Sequence, residues 1–391
     1  MTPAARHAAA IGVLDAWADG MAAEQALTRW ARGARYAGSG DRAAVRDLVY
    51  DVLRQKGNCA AFGGGTDGRA LILGLMRLRG ADPGAVFTGA LHAPPPLTAA
   101  EDGARDVTPD PARDVPDWML PLLAARIGAE LPRLLAAMGT RAPVYLRVNR
   151  RKADSAAALA RLAEDGVNAR AVPGSDTALE VTEGPRRLRR SAAYGEGWVE
   201  LQDLSAQRAV AALPWPATGK ILDYCAGGGG KTLAIADRTG AAVFAHDALP
   251  RRMADLPARA ARAGVGVDMV GTADLARHAP YEAVLCDVPC SGSGTWRRDP
   301  EAKWRLSPRD LDRLIATQAD ILAAAAPLVA PGGMLAYMTC SLFEAENEGQ
   351  VAAFEAGHPG WRRLVQRIDT PLSASDGFFA AAWQAPEGSA A

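Results

Sequence analysis

Residues 220–232 have the sequence Lys-Ile-Leu-Asp-Tyr-Cys-Ala-Gly-Gly-Gly-Gly-Lys-Thr. An apolar run ending in Asp223 is followed by four glycines and then by a helical pattern. A strand, a glycine-rich turn and a helix in this order are typical of an α/β sheet that binds a nucleotide. Bare backbone lets a ligand approach closely, and a helix N-terminus favours negative charge. The stretch therefore predicts a ligand-binding loop at residues 225–231.

Two acidic residues downstream indicate which nucleotide this loop would hold. Gly230-Lys231-Thr232 matches the end of a phosphate loop, but Cys225 stands at the position of its first glycine, and Thr232 replaces the last glycine of a dinucleotide fingerprint. Asp247 follows the next apolar run, where an acid can bind ribose hydroxyls. Asp274 follows the run after that and could meet an adenine amino group. These contacts favour S-adenosylmethionine over ATP, while a nucleotide triphosphatase and a turn without ligand remain the alternatives.

Apolar runs between residue 205 and the end of the chain alternate with helical patterns. This alternation is typical of a parallel, doubly wound sheet with right-handed crossovers. We therefore predict a Rossmann-like α/β domain for residues 205–391, with ligands at the carboxyl ends of its strands. The predicted strands are Lys220–Tyr224, Ala242–His246, Val267–Val270, Ala283–Asp287 and Met334–Met338.

The rest of the chain divides into three parts by pattern. Residues 1–92 carry apolar positions at helical spacing and predict an all-helical domain, in which no chemistry is visible. Residues 93–115 are rich in proline and predict a linker. Residues 116–204 begin with a helical pattern and continue with short alternating strands around one helix. They predict a small α+β module.

The charged residues are balanced overall but clustered locally. The 391 residues include 44 Lys and Arg and 44 Asp and Glu, so the formal net charge is zero and no overall field attracts a polyanion. Basic clusters nevertheless flank the candidate ligand site, which favours a nucleic-acid substrate. The side chains expected to contact this nucleic acid are Arg150, Arg151, Lys152, Arg297, Arg298 and Lys303.

Cysteine usage and hydropathy indicate the compartment. The five cysteines are odd in number and include no close Cys-x-x-Cys pair, which argues against a disulfide framework and against a metal site. The sequence has neither a signal-peptide pattern nor a run of about 18 apolar residues. We expect a cytoplasmic, monomeric protein that binds no metal and no membrane.

Two cysteines follow apolar runs, at the places where a parallel sheet binds ligands. Cys290 lies in Asp287-Val288-Pro289-Cys290-Ser291, and Cys340 lies in Thr339-Cys340-Ser341. A thiolate that adds to carbon 6 of cytosine makes carbon 5 nucleophilic enough to accept a methyl group, and a second thiol could assist release. Asp287 could pair with the cytosine ring nitrogen during attack. A structural role for either thiol is the alternative.

The residues after Cys340 bear on which thiol attacks. Ser341-Leu342-Phe343-Glu344 has the pattern of a capping box. A helix that begins there would favour the thiolate form of Cys340. The pattern therefore favours Cys340 as the nucleophile.

Taken together, these motifs resemble those of the RsmB/Nop/Sun family of RNA cytosine-5 methyltransferases. The resemblance covers residues 116–385, and residues 1–92 resemble the NusB-like RNA-binding domain of the bacterial ribosomal RNA members. The segments that carry it are Gln202–Gln207, Asp223–Lys231, Asp287–Gly294, Trp296–Trp304, Thr339–Ser341, Glu346–Glu348 and Asp376–Phe379.

The resemblance implies a class I methyltransferase domain at residues 205–391, preceded by an RNA-binding α+β module at residues 116–204. Cys340 would attack cytosine, Cys290 would aid release, and Asp287 would complete the catalytic set. The substrate would be RNA, in particular 16S ribosomal RNA. S-adenosylmethionine would be bound by Asp223, Cys225, Ala226, Gly227, Gly228, Gly229, Gly230, Lys231, Asp247, Asp274 and Asp287.

One departure from the family loop bears on cofactor affinity. The usual sequence is Cys-Ala-Ala-Pro-Gly-Gly-Lys, whereas Gly227 and Gly228 stand here in place of Ala and Pro. Two more glycines would raise the cost of ordering the loop by about 1 kcal/mol. The sequence leaves open the modified cytosine, the same chemistry on transfer RNA, and a non-catalytic RNA-binding assembly factor.

Overall fold

The computed structural model describes residues 1–103 and 105–387 and divides into two compact units. Unit 1 comprises residues 1–141 and 296–306. Unit 2 comprises residues 142–295 and the chain from residue 307 onward. Residues 296–306 therefore interrupt unit 2 in sequence but belong to unit 1.

Both units contain α-helices within the described part of the chain. None of these helices is both long and apolar enough to cross a membrane. They are α1 (Pro3–Ala18), α2 (Ala23–Gly33), α3 (Ser39–Arg54), α4 (Lys56–Gly63), α5 (Gly68–Leu78), α6 (Leu120–Ile127), α7 (Leu131–Met138), α8 (Ser155–Glu164), α9 (Ala192–Gly195), α10 (Leu204–Ala212), α11 (Gly230–Arg238), α12 (Leu256–Ala263), α13 (Leu275–His278), α14 (Pro300–Arg305), α15 (Pro308–Ala325) and α16 (Glu348–Gly357).

The strands of the described residues all lie in unit 2 and form two sheets. They are β1 (Val144–Val148), β2 (Asn168–Ala171), β3 (Ala178–Glu183), β4 (Val199–Leu201), β5 (Lys220–Asp223), β6 (Ala242–Ala245), β7 (Asp268–Met269), β8 (Tyr281–Asp287), β9 (Val329–Thr339), β10 (Arg362–Asp369) and β11 (Phe378–Gln384).

Unit 1 is helical, as the periodicity of residues 1–92 predicts. Val45, Val49 and Val52 recur at helical spacing on α3 and are fully buried in one core. Part of the proline-rich segment contacts α5, because the Arg69 guanidinium donates to the backbone carbonyls of Pro95 and Pro96. Helices α6 and α7 also belong to unit 1, whose first segment ends at Arg141.

The small α+β module has the strand order β2-β3-β1-β4, and all its strand pairs are antiparallel. Leu146, Val148 and Leu179 from the strands pack with Leu162 of α8 in a separate core. This agrees with the alternating pattern in the sequence. The module therefore presents one face of its sheet to α8.

The main sheet has the order β10-β11-β9-β8-β5-β6-β7 within the described residues. Strands β7, β6, β5, β8 and β9 are parallel, whereas β11 pairs antiparallel with β9 and β10. The direction of winding reverses between β5 and β8, which makes this pair the topological switch point. The five parallel strands agree with the apolar runs of the sequence, whereas β10 was not predicted from it.

Alternating residues of the central strands supply the two faces of the main sheet. On β8, Val284 and Cys286 point to one core, while Ala283 and Leu285 point to the other. Both faces are covered by apolar side chains, as expected of parallel strands. This explains why the strands have near-continuous apolar sequences, and it fixes the strand ends where the candidate site lies.

Candidate active site

The residues predicted to bind ligand lie at the carboxyl ends of the parallel strands. Asp223 ends β5, Asp247 follows β6, Asp287 ends β8 and Cys340 follows β9. Ligands of open α/β sheets bind in the crevice outside these ends, at the switch point. The order of strands therefore gathers the predicted residues at one edge of the sheet.

The glycine loop after β5 exposes its backbone beside the start of α11. Gly229 has a φ of +80°, and a Cβ atom there would lie 2.2 Å from Leu256 Cδ1, so only glycine fits. Gly230 begins α11, and a Cβ atom at this position would meet no atom within 4 Å. The loop thus combines uncovered backbone with a helix N-terminus, the combination that suits a polar ligand.

Asp247 accepts a hydrogen bond from the backbone of the glycine loop, whereas Asp274 pairs with Arg277 on its own segment. Asp247 Oδ2 accepts a hydrogen bond from the Gly227 amide at 3.0 Å, and its Oδ1 accepts one from the Leu249 amide at 2.9 Å. Asp274 forms an ion pair with Arg277 at 3.0 Å. The structure thereby brings Asp247 into contact with the glycine loop.

Asp223 is a buried carboxylate beneath the same loop. Its Oδ2 accepts a hydrogen bond from Thr232 Oγ1 at 2.7 Å, while its Oδ1 has no hydrogen-bond partner among the described residues. Burial raises the pKa of Asp223 to about 7, although the bond from Thr232 opposes this shift. The carboxyl is therefore poised to exchange a proton near neutral pH.

Lys231 and Asp287 form an ion pair across the switch point. Lys231 Nζ lies 2.6 Å from Asp287 Oδ2. Burial acts to lower the pKa of Lys231, but the Asp287 carboxylate outweighs it and the pKa is raised. In contrast, burial raises the pKa of the Cys225 thiol, which keeps Cys225 protonated. The pair thus ties the loop after β5 to the end of β8.

Cys290 and Cys340 face each other at the ends of β8 and β9. Their Sγ atoms are 3.3 Å apart, within hydrogen-bonding distance for sulfur. The hydrogen bond with Cys340, reinforced by burial, raises the pKa of Cys290 well above its usual range. Both side chains remain partly accessible. The structure therefore brings the two thiols singled out from the sequence to one point.

A buried carboxylate joins the two cysteine loops. Glu346 Oε2 accepts hydrogen bonds from the hydroxyls of Ser291 and Ser341, and its Oε1 accepts one from the Ser291 amide at 2.8 Å. The two hydroxyls are 3.1 Å apart, and Glu346 is fully buried. Each cysteine is thus followed by a serine that binds the same carboxylate. We call Ser291, Ser341 and Glu346 the serine–glutamate clamp.

The prediction of a capping box directly after Cys340 is wrong. The first α-helix beyond Cys340 is α16, which begins at Glu348. Ser341 Oγ instead accepts from the Phe343 amide at 3.0 Å and donates to Glu346, so the serine belongs to the clamp. A pattern of four residues does not distinguish a helix cap from a hydrogen-bonded turn. The helix-dipole argument for Cys340 therefore has no support.

The basic side chains at residues 150–152 differ in what they contact. Arg151 Nη2 donates to the Ala236 carbonyl at 2.7 Å, and Lys152 Nζ donates to the Arg262 carbonyl at 2.7 Å. Arg150 has half of its side chain exposed. Arg151 and Lys152 thus attach the small module to helices α11 and α12, and Arg150 is more accessible to an external partner.

The basic residues of segment 296–306 lie in unit 1. Arg297 Nη2 donates to the Arg141 carbonyl at 2.9 Å, and Arg298 is exposed. Lys303 is only 1% exposed, and its Nζ donates to the Arg54 carbonyl at 2.9 Å. Burial lowers the pKa of Lys303 to about 7. Lys303 therefore makes a structural contact, and a contact with RNA would require it to leave this position.

Sequence reasoning assigned no role to the clamp. The repeated Cys-Ser dipeptide at 290–291 and 340–341 was a usable signal, because both serines precede turns at strand ends. Glu346 was included only as part of a motif.

Within residues 1–103 and 105–387, no group of three or more His, Cys, Asp or Glu side chains is arranged to hold a metal ion.

Comparison with solved structures supports the fold. The crystal structure of PH0851 superimposes with a TM-score of 0.77 and covers 98% of this chain and 99% of that chain, at 24% identity. NSun6 from Pyrococcus horikoshii, solved with SFG, superimposes with a TM-score of 0.61 and covers 69% of this chain and 98% of its own, at 18% identity. At these identities the likeness concerns the fold alone.

Two segments of this chain match models of one protein family. Residues 211–384 match the family described as 16S rRNA methyltransferase RsmB/F, and residues 115–186 match its ferredoxin-like domain. The ribosomal RNA small subunit methyltransferase B of Sodalis glossinidius is 36% identical over 62% of this chain and 58% of its own length. A probable counterpart from Synechocystis is 34% identical over 63% of this chain and 57% of its own length. The matches thus span less than three fifths of these relatives. In chain order, a ferredoxin-like segment and a methyltransferase segment of this chain thus both match models of the RsmB/F methyltransferase family.

Proposed function

We propose that this protein methylates carbon 5 of cytosine in RNA of the small ribosomal subunit, with S-adenosylmethionine as methyl donor. The observation that carries the proposal is the 3.3 Å separation of Cys290 Sγ and Cys340 Sγ at the switch-point edge of the sheet. Two thiols in contact suit a reaction that both forms and breaks a bond between sulfur and carbon. The match to the family described as 16S rRNA methyltransferase RsmB/F, and the ribosomal RNA small subunit methyltransferases among the relatives, support the choice of substrate.

The residues around the glycine loop fit the proposed donor. The space beside Gly230 admits a ligand, and Asp247 carries an acceptor-only carboxylate that suits ribose hydroxyls. Asp274 would meet the adenine, and residues 223–231 would surround the remainder. Bound S-adenosylmethionine would supply an electrophilic methyl group.

The two thiols would have separate tasks in the reaction. The Cys340 thiolate would form a bond to carbon 6, which places electron density on carbon 5. Carbon 5 would then bond to the methyl group while the bond between that methyl group and the sulfur of the donor breaks. A base must then remove the proton from carbon 5, after which the bond between sulfur and carbon 6 breaks and the Cys340 thiolate leaves. Asp287, held by Lys231 at 2.6 Å, would face the ring nitrogen during attack.

The electrostatics of the thiol pair support Cys290 as the release group. The hydrogen bond with Cys340 and the Cys340 charge raise the pKa of Cys290. When Cys340 is bonded to carbon 6, its negative charge disappears, so one cause of the raised pKa is removed. Cys290 would therefore become easier to deprotonate at the step that needs a base.

The test uses single substitutions in the full chain. Cys290→Ala should accumulate an RNA adduct that survives denaturing electrophoresis, because release is blocked after attack. Cys340→Ala should form no adduct and should lose methyl transfer to labelled small-subunit RNA. Cys286→Ala, a buried cysteine on β8, is the matched control and should keep activity. Full activity of Cys340→Ala together with no adduct in Cys290→Ala would exclude the mechanism.

The substrate is tested separately by bisulfite sequencing. Unmethylated ribosomal RNA and transfer RNA would be incubated with the protein and with Cys340→Ala. A protected cytosine that appears only in the small-subunit RNA with the unmodified protein supports the proposal. Protection confined to transfer RNA would assign the same chemistry to the other substrate.

A further inference from the structure

An open groove lined by arginines lies on unit 1 and contains none of the residues of the candidate active site. It is formed by α2, the following loop and α3, and has a volume of about 400 Å³. Arg32, Arg35, Arg42 and Arg46 line it together with Thr28 and Trp30. We call it the arginine groove.

The positive charge of the arginine groove is largely uncompensated. None of its lining residues is acidic. Arg46 lies 3.5 Å from Glu24, and both side chains are more than half exposed, so the pair is weak. Within the described residues, the guanidinium groups of Arg32, Arg35 and Arg42 have no hydrogen-bond or ion-pair partner.

Acidic side chains of α3 pair with basic groups outside the arginine groove, which explains why the positive charge of the groove is not neutralised. Asp41 is bound by the N-terminal amine and by Arg6, at 3.2 and 2.8 Å. Asp51 is bound by Arg54 and Arg79, at 2.9 and 2.7 Å. The helix therefore presents its arginines to the groove while its acids pair outside it.

We propose that the arginine groove binds the phosphate backbone of the RNA substrate. Guanidinium groups form paired hydrogen bonds with phosphate oxygens, and several of them along one groove suit successive phosphates of a strand. Trp30 adds aromatic surface, and Thr28 adds a hydroxyl donor. Because the chain carries no net charge, such a local cluster is what attracts a polyanion. The inference rests on the proposed RNA substrate, but not on cytosine chemistry.

The test compares two triple variants of the full chain that lose the same charge. Arg32→Ala, Arg35→Ala and Arg42→Ala are combined in the groove variant. Arg133→Ala, Arg313→Ala and Arg363→Ala form the matched control, since these arginines are also exposed but pair with acids. Unchanged thermal unfolding of both variants establishes that the fold is kept.

Binding of a small-subunit RNA fragment is measured without methyl donor over a range of salt concentrations. We expect the groove variant to bind about tenfold more weakly. Its slope of log affinity against log salt should be less steep by about 2 to 3, because three phosphate contacts are lost. The control should behave like the unmodified protein. Equal weakening in both variants, or no weakening in the groove variant, would overturn the inference.

The kinetic readout separates this inference from the proposed function. In the groove variant, the KM for RNA should rise while kcat at saturating RNA stays unchanged. If RNA binding weakens as expected but no 5-methylcytosine is formed by any variant, the groove inference holds and the proposed chemistry fails. If methylation is normal but the groove variant binds RNA as tightly as the unmodified protein, the proposed chemistry holds and the groove inference fails.

Discussion

The hydroxyl of Ser341 donates a hydrogen bond to the buried carboxylate of Glu346. Ser341 directly follows Cys340, and the same carboxylate binds Ser291, which directly follows Cys290. One buried carboxylate therefore links the two loops that carry the thiols. Glu346 acts in this way as a positioning residue.

We predict that Glu346→Gln lowers kcat for methyl transfer about 10- to 100-fold, since small displacements of reacting groups are costly. The KM for RNA should stay unchanged, because Glu346 is fully buried. The amide would oppose one of the serine donors and should cost about 1–3 kcal/mol of stability. Steady-state kinetics on the folded variant measures the split between kcat and KM.

The control for Glu346→Gln is Glu344→Gln, an exposed position in the same turn. It removes the same charge without touching the clamp, and its kinetics should match those of the unmodified protein. An unchanged kcat in Glu346→Gln would show that the clamp does not position the thiols.

The parts of the site that lie at the ends of apolar runs could be predicted from the sequence. Apolar runs ending in Asp223 and Asp287 are local signals, because buried parallel strands have near-continuous apolar sequences. Cys290 and Cys340 also follow apolar runs, which predicts both thiols at the ligand-binding edge of the sheet. The register of β8 and β9 then brings the thiols into contact.

The clamp and the arginine groove were not predictable in this way. Glu346 reaches Ser291 across 55 residues of sequence, and a single acid carries no local sign of such a partner. The groove depends on which acids of α3 pair elsewhere, which periodicity does not reveal. Strand β10 was missed because its outward-facing residues are charged, as is common at a sheet edge.

The glycine loop yields a prediction with an internal control. Gly228 does not have a left-handed φ, and a Cβ atom there would approach only the flexible end of Arg259, at 3.1 Å. Gly228→Ala should therefore stabilise the protein by about 0.4–1 kcal/mol, because the unfolded chain loses freedom. Gly229→Ala should destabilise it by more than that, owing to its φ of +80° and the 2.2 Å approach to Leu256. Thermal unfolding of the two variants measures both effects. A destabilised Gly228→Ala would contradict this account of the loop.

The buried carboxyl of Asp223 predicts a pH dependence of stability. Burial raises its pKa from 3.8 to about 7, so the folded state holds a proton that the unfolded state releases. The contribution of this group is therefore fully present below pH 4 and is lost as the pH rises through 7, by at most about 4 kcal/mol. In Asp223→Asn the free energy of unfolding should fall less between pH 4 and pH 7 than in the unmodified protein. Denaturant unfolding at several pH values measures the difference, with the exposed Asp268→Asn as control. If the free energy of unfolding depends on pH equally in the unmodified protein, Asp223→Asn and Asp268→Asn, the raised pKa of Asp223 is refuted.

Lys303 provides a prediction that separates a structural role from contact with RNA. Burial lowers its pKa from 10.5 to about 7, so the folded state disfavours the charged form. Its contribution to stability is present above pH 10.5 and is lost as the pH falls to 7, by at most about 5 kcal/mol. Lys303→Met removes this dependence at the cost of the hydrogen bond to the Arg54 carbonyl, about 1 kcal/mol. The variant should therefore gain stability relative to the unmodified protein as the pH falls from 10 to 7, while its affinity for RNA at pH 7 stays the same. Denaturant unfolding between pH 7 and pH 10 tests the predicted gain in stability, and RNA binding at pH 7, measured on the same preparation, tests the unchanged affinity. Weaker RNA binding with unaltered pH dependence would instead support the direct contact expected from the sequence.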